Sequence, residues 1–407
     1  MKRPVNLCLT CALIFLSPAA LLAENWPRFR GSRGMGVSAA PAPTTWDRAG
    51  EKWRVELPGA GHSSPVVWND RVFVSCADAD QGRRWIVSLD KESGAVVWRK
   101  SVGFSKFKKH KNNSFASATP AVDGQRVYAL FHDRETSPLI AYTHSGEEVW
   151  RYELGPYLHG QGGASSPIVD NGSVYVANDH KAPSYLLSLD AESGKENWKV
   201  PREGKRACYA TPCVRRVGDR TEIVFAHCFE GITGVDARSG RTNWLADVFG
   251  RFAQRAVASP LCVDDLVIAG SGAAVSEKNI VAVRPNGDQA AEVYRVTRAA
   301  PHVPTPVVYR GLMFLWSDKG IATCVDAETG QQVWQKRIGG NYFSSPICVG
   351  GNLYNVDVDG KVVVLKAAAD FAEVARNDLG GPSKATAAAA DGVLYFRTES
   401  HLIAIGK

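Results

Sequence analysis

The chain has 407 residues and a net charge of +7, with 45% hydrophobic and 22% charged residues. That mixture excludes a disordered chain, a collagen-like chain and a polytopic membrane protein. Thirty-eight Gly, 21 Pro and 11 Trp point to a turn-rich fold with unusually many broad aromatic plates.

Residues 1–23 read as a secretory signal. Lys2 and Arg3 supply the positive start, Leu7 to Leu16 the apolar run, and Ala23 the small residue before Glu24. The run is shorter than the roughly 20 residues that span a bilayer. Cys8 and Cys11 open the run rather than follow it, which argues against a lipoprotein anchor. The expectation is cleavage after Ala23 and a periplasmic or secreted product, with no transmembrane segment in the mature chain. Without Lys2 and Arg3 the net charge falls from +7 to +5 and is spread along the chain, so nucleic acid is not an expected partner. The densest basic cluster is Lys106, Lys108, Lys109, His110 and Lys111. It reads as a solvated loop, or as a local site for an acidic partner.

Nine cysteines less Cys8 and Cys11 leave seven, an odd number for an exported protein, so at least one thiol lacks an intrachain partner. No Cys-x-x-Cys with a matching His is present, and no metal site is expected. Cys213 and Cys228 flank the turn at 219–221 and are candidates to face each other across a hairpin. Cys262 and Cys348 take equivalent places two units apart, too far to bond.

After a leader over 24–52, one pattern recurs along 53–407. Its first half is Ser/Thr-Pro followed by apolar residues, at Ser64, Thr119, Ser166, Thr211, Ser259, Thr305 and Ser345, with a weakened copy at Thr386. Successive copies are 55, 47, 45, 48, 46, 40 and 41 residues apart. A Gly-containing turn and a β-rich run follow most copies, which is hairpin chemistry. The second half is Asp-x-x-Ser/Thr-Gly-x-x-x-Trp, at Asp90–Trp98, Asp190–Trp198, Asp236–Trp244 and Asp326–Trp334. Ser145-Gly146…Trp150 lacks the Asp, and degenerate copies end at Tyr294 and Val374. The Asp closes a turn and Gly supplies the positive φ. The Trp offers a plate to the neighbouring unit. Two hairpins per unit, at about 44 residues each, predict an all-β, eight-bladed β-propeller of four-stranded antiparallel blades. Trp53 has no unit before it, and Leu402–Ile405 stops one strand short. The N-terminal strand is therefore expected to close the eighth blade.

The Asp-x-x-Ser/Thr-Gly-x-x-x-Trp repeat resembles the tryptophan-docking motif of pyrroloquinoline quinone (PQQ)-type propellers. The segment Trp26-Pro27-Arg28-Phe29-Arg30-Gly31 resembles the start of exported PQQ-like propeller proteins of the planctomycete type. The resemblance extends to the barrel-assembly propeller lipoprotein, which is not an enzyme, and to quinoprotein dehydrogenases. It implies architecture and does not choose among those functions. Two departures argue against a dehydrogenase: no adjacent cysteine pair is present, and the spacing leaves little room for insertions that would cover a quinone.

Propellers bind ligands near the central axis, and the loop before each Ser/Thr-Pro borders that mouth. This places His62, Asn113, His159, Gln161, Tyr209, Arg255, His302, Tyr342 and Lys384 there. Arg255 and Lys384 make an anionic ligand conceivable. The glycines of His159-Gly160-Gln161-Gly162-Gly163 permit close backbone approach. The stretch Asn355 to Gly360 reads as an Asp-Gly hairpin turn, because Ala368 and Val362 stand where a calcium loop needs an acid and a Gly. No catalytic motif is present. The expectation is a non-enzymatic exported binding or scaffold propeller that engages a protein or cell-envelope component through its loops, without a cofactor. A reduced-form PQQ-dependent oxidoreductase with calcium is the alternative.

Overall fold

A computed structural model describes residues 24–181, 183–250, 255–273 and 277–406. The secretory-signal expectation for residues 1–23 lies outside them. The described chain is all-β apart from two short 3-10 turns. Eight four-stranded antiparallel units follow one another along it. Their innermost strands are Val66–Trp68, Ala121–Val122, Ile168–Asp170, Cys213–Val217, Leu261–Val263, Val307–Tyr309, Ile347–Val349 and Ala388–Ala390. We number the blades 1 to 8 in that order. The outer strand of blade 8 is Glu51–Glu56, which pairs antiparallel with His401–Ile405, so the N-terminal strand closes the ring as expected. The buried apolar side chains lie between the faces of consecutive blades.

The repeat halves have separate physical jobs. At the outer turns, one oxygen of Asp90 accepts the Ser93 N–H at 2.8 Å and the Ser93 hydroxyl at 2.7 Å. Asp190, Asp236 and Asp326 repeat this geometry. These bonds, made to the ionised form, hold the four carboxyls below the usual carboxylate range. Gly194 follows such a turn at φ +70°, and the Trp150 ring of the previous blade lies on its bare face, 2.6 Å from where a Cβ would stand. The Trp150 indole N–H then donates to the Ala191 carbonyl at 3.0 Å. Trp53, Trp98, Trp198 and Trp334 likewise donate to a carbonyl of the next blade. Trp244 departs from the pattern. It packs on Gly234 of its own blade and donates to Glu222, because the outer turn of blade 5 (Asn286, Gly287) lacks the docking motif.

At the inner end, the Ser/Thr hydroxyl of six of these positions accepts the backbone N–H of its counterpart one blade earlier. Thr119 takes the N–H of Ser64, Ser166 that of Thr119, and Ser259 that of Thr211, at 2.9 to 3.0 Å. Thr305, Ser345 and Thr386 continue the belt. Pro contributes no N–H at the next position, so the hydroxyl belt stitches the axis where strand pairing has not begun.

The leader is part of the axis. Trp26, 1% exposed, bridges Val67 of blade 1, and the Pro27 carbonyl accepts from Val122 of blade 2. The Arg28 guanidinium reaches Pro212 O in blade 4. Arg30, fully buried, donates to Thr305 O, Pro306 O and Pro346 O in blades 6 and 7, and to Gly34 O and Met35 O of its own loop. Val37–Ser38 then runs parallel to the innermost strand of blade 7. Trp46 stacks on Phe396 of blade 8, with ring centroids 5.6 Å apart.

The cysteine expectation is corrected. Cys213 pairs in register with Val224, four residues short of Cys228, so the hairpin does not bring those two thiols together. The Cys213 sulfur instead lies 3.0 Å from that of Cys262, across the seam between blades 4 and 5. The Cys228 sulfur lies 3.4 Å from that of Cys208. Hairpin symmetry about the turn was the wrong criterion, since the strand after the turn extends past its partner. The stretch from Asp357 is a turn, with Asp357 accepting the N–H of Asp359 and Lys361.

Candidate functional site

The loops that precede the innermost strands enclose an axial cavity of about 930 Å³. Phe29 of the leader reaches this cavity, so the segment that threads the axis also lines it. His62, Asn113, Gln161, Tyr209, Arg255, His302 and Lys384 all line it. The structure thus brings together seven of the nine residues read from the sequence.

Tyr342 is not among them. Its side chain is 1% exposed and packs edge-on against Trp316 at 5.3 Å, between blades 6 and 7, while its neighbours Asn341 and Phe343 face the cavity. Alternation along an extended segment turned the Tyr outward, and nothing in the loop's composition reveals that phase. His159 stands behind the wall. Its ring nitrogens lie 3.4 Å from the Tyr209 hydroxyl and 3.4 Å from the Arg255 guanidinium. Burial, reinforced by the Arg255 charge, lowers its pKa to about 4, so it is neutral at pH 7. The glycines after it have an internal use as well: a Cβ on Gly163 would stand 2.3 Å from the His132 ring.

The lining is cationic. Lys111, Arg206, Arg255, Lys278, Lys319 and Lys384 face two carboxylates, Asp318 and Glu399. Asp318 is already engaged by Lys278 at 3.0 Å and by the backbone N–H groups of His302 and Val303. Arg255 donates to the Ala207 carbonyl, and Lys319 to Asn341. Burial holds His62 at about 3, with the nearby Lys384 and Arg397 charges acting in the same direction. The basic cluster takes part through His110 and Lys111, and the Asn113 side chain ties its loop to the Gln161 carbonyl at 2.7 Å. Sequence reasoning missed Phe29, Arg206, Lys278, Lys319 and Phe343. Phe343 stands two residues before Ser345, as His62 does before Ser64, so its position was legible; the other four stand farther from a Ser/Thr-Pro, and only the charge excess could have flagged the cations.

A quinone with calcium would need its ion held by oxygen donors of this lining. Calcium takes six to eight oxygen ligands, several of them carboxylate. The described lining offers Glu399 and an already committed Asp318, so these donors do not compose a calcium site. The cavity's large apolar faces are Phe29 and Phe343.

Fold, docking turns and axial cavity together define a PQQ-type β-propeller. A family profile described as outer membrane protein assembly factor BamB matches residues 82–292 and again 276–405, and the chain belongs to this family. BamB of Moranella endobia (strain PCIT) is 26% identical over 253 residues, covering 56% of this chain and 61% of that protein. A polyvinylalcohol dehydrogenase of a Pseudomonas species is 25% identical over 179 residues, covering 40% of this chain and 26% of the enzyme. The chain therefore spans less than two thirds of the length of these relatives. The crystal structure of BamB from Moraxella catarrhalis superimposes with a TM-score of 0.65 at 15% identity, covering 87% of this chain and 96% of that one. That likeness concerns the fold. No helix among the described residues is long and apolar enough to cross a membrane.

Proposed function

We propose that this protein is an exported, non-enzymatic binding propeller whose axial mouth recognises an acidic segment of a protein or cell-envelope partner. The observation that carries the reading is the excess of six Lys/Arg over two carboxylates around one cavity; with Lys278 and Asp318 paired to each other, five cations remain against Glu399. Clefts lined by one sign of charge concentrate ligands of the other sign. The family relatives named as outer membrane assembly factors support a scaffold role, and the signal read over residues 1–23 supports export.

The test is binding of an acidic peptide, poly-glutamate, measured by fluorescence anisotropy. Arg255→Glu combined with Lys384→Glu should weaken binding by about tenfold or more, since a like charge facing the ligand replaces an attractive one. Unchanged affinity in a folded double variant would refute the reading. The dehydrogenase relative keeps a quinone reading open to experiment. Calcium-dependent PQQ binding at micromolar concentration, lost in Arg255→Ala, would replace the scaffold reading with the oxidoreductase one.

A further inference from the structure

Behind the cavity wall, between blades 4 and 5, Cys208, His227 and Cys228 place one ligand atom each within 4.8 Å of one another. All three are buried, at 2%, 0% and 0% exposure. The two sulfurs are 3.4 Å apart. Two thiolates sharing a tetrahedral zinc ion, each at about 2.3 Å from it, stand somewhat under 4 Å apart. A disulfide requires about 2.05 Å. Nε2 of His227 lies 3.1 Å from the Arg206 carbonyl, the kind of contact that fixes the tautomer of a metal-binding imidazole with Nδ1 unprotonated. At present Nδ1 receives two backbone N–H groups, from Phe229 and Glu230, both at a long 3.3 Å. Ala210, Ala226, Ile232 and Phe249 pack in the same cluster, and the charges of Arg206, Arg255 and Asp179 lie close by. Three donors complete a three-coordinate Cu⁺ and leave a tetrahedral Zn²⁺ one position short, to be filled by water or a further group.

We propose that Cys208, Cys228 and His227 hold a thiophilic metal ion, Zn²⁺ or Cu⁺, in the wall of the axial cavity. Soft thiolate and imidazole donors select these ions over calcium or magnesium. On binding, each thiol that enters as a thiolate gives up one proton to solvent, and no electron moves. The ion would tie the loop carrying Arg206, Cys208 and Tyr209 to the end of the strand Arg220–His227, and so fix two cavity-lining side chains.

The test uses the full exported chain, purified without chelator. Elemental analysis should find about one zinc or copper ion per chain, its identity distinguishing the two. Cys208→Ser and Cys228→Ser should each lose it, while Cys213→Ser, at the other cysteine pair, should keep it. Apo protein refilled with Co²⁺ should develop a thiolate-to-cobalt charge-transfer band in the near ultraviolet that Cys208→Ser lacks. This optical readout stays informative even where a variant folds poorly, because it is made on the wild-type chain. A Cys208–Cys228 disulfide found by mass spectrometry would overturn the proposal, as would wild-type protein that retains neither ion after both are supplied. Metal retained equally by Cys208→Ser would also overturn it.

Discussion

At the scale of single residues, the docking Trp is the most informative side chain. Trp150 fills the gap between blades 2 and 3 and satisfies its one donor on Ala191. Trp150→Ala should cost about 3–5 kcal/mol, the usual range for truncating a buried Trp, and should lower the thermal midpoint. Trp150→Phe keeps the plate and loses only the hydrogen bond, worth about 1 kcal/mol. Gly194→Ala should also destabilise strongly, because φ is +70° and the new methyl would meet the Trp150 ring. The order Ala, then Phe, in urea-unfolding midpoints checks the argument, and equal losses would refute it. Buried histidines set the response to acid. Burial, only partly offset by the bond to Ser165, pulls His132 down to about 4, and burial holds His62 at about 3, against 6.5 in the unfolded chain. Between these values the folded state binds fewer protons than the unfolded one, so stability rises with pH. The contribution is complete above about pH 6.5 and is lost as pH falls toward 4. Urea midpoints measured from pH 7 to 4 should fall, and His132→Gln should flatten the decline.

At the scale of elements, the leader and the closing strand are the two segments on which the ring depends. Arg30 makes five hydrogen bonds to carbonyls and no ion pair among the described residues, and burial lowers its pKa to about 9. Its use is therefore geometric: one planar fork reaches two blades and its own loop. Arg30→Met should leave buried carbonyls unpaired, at about 1–3 kcal/mol for each one that water cannot reach. Limited proteolysis within 24–38 should then accelerate well before the global transition. An unchanged cleavage rate would mean that Trp26, Arg28 and the pairing of Val37–Ser38 hold the leader without Arg30. Removing residues 402–407 takes away the partner of Glu51–Glu56 and exposes strand edges at the seam. Exposed edges template aggregation, so the truncated chain should show light scattering and a lower melting temperature.

At the scale of the whole molecule, charge is organised more than its total suggests. A net charge of +7 on 407 residues is modest, yet six Lys/Arg converge on one cavity mouth. Binding of an acidic ligand there should weaken as salt rises from about 50 to 200 mM, since exposed charges are screened over about a Debye length. The Arg255→Glu and Lys384→Glu double variant should lose that salt dependence along with the affinity. A flat salt response in the unaltered protein would point instead to an apolar contact, for instance on Phe29 or Phe343.

The periodic features of this protein were legible in the sequence. Asp-x-x-Ser-Gly-x-x-x-Trp acts within one hairpin and on its immediate neighbour, so its spacing alone carried the blade, the docking and the closure by the strand around Trp53. The loop before each Ser/Thr-Pro was equally local, which is why His62, Arg255 and Lys384 were found. What depended on side-chain phase or on contacts between distant segments was not legible. Tyr342 turned outward where Asn341 and Phe343 turned in, and Trp244 folded back because a turn about 40 residues later lacked its motif. The leader's passage along the axis rests on Arg28 and Arg30 meeting carbonyls some 180 to 320 positions away. The cluster of Cys208, His227 and Cys228 follows no metal-binding spacing, since one ligand comes from a loop and two from a strand end. Only the packing of the loop against that strand put three soft donors within reach of one ion.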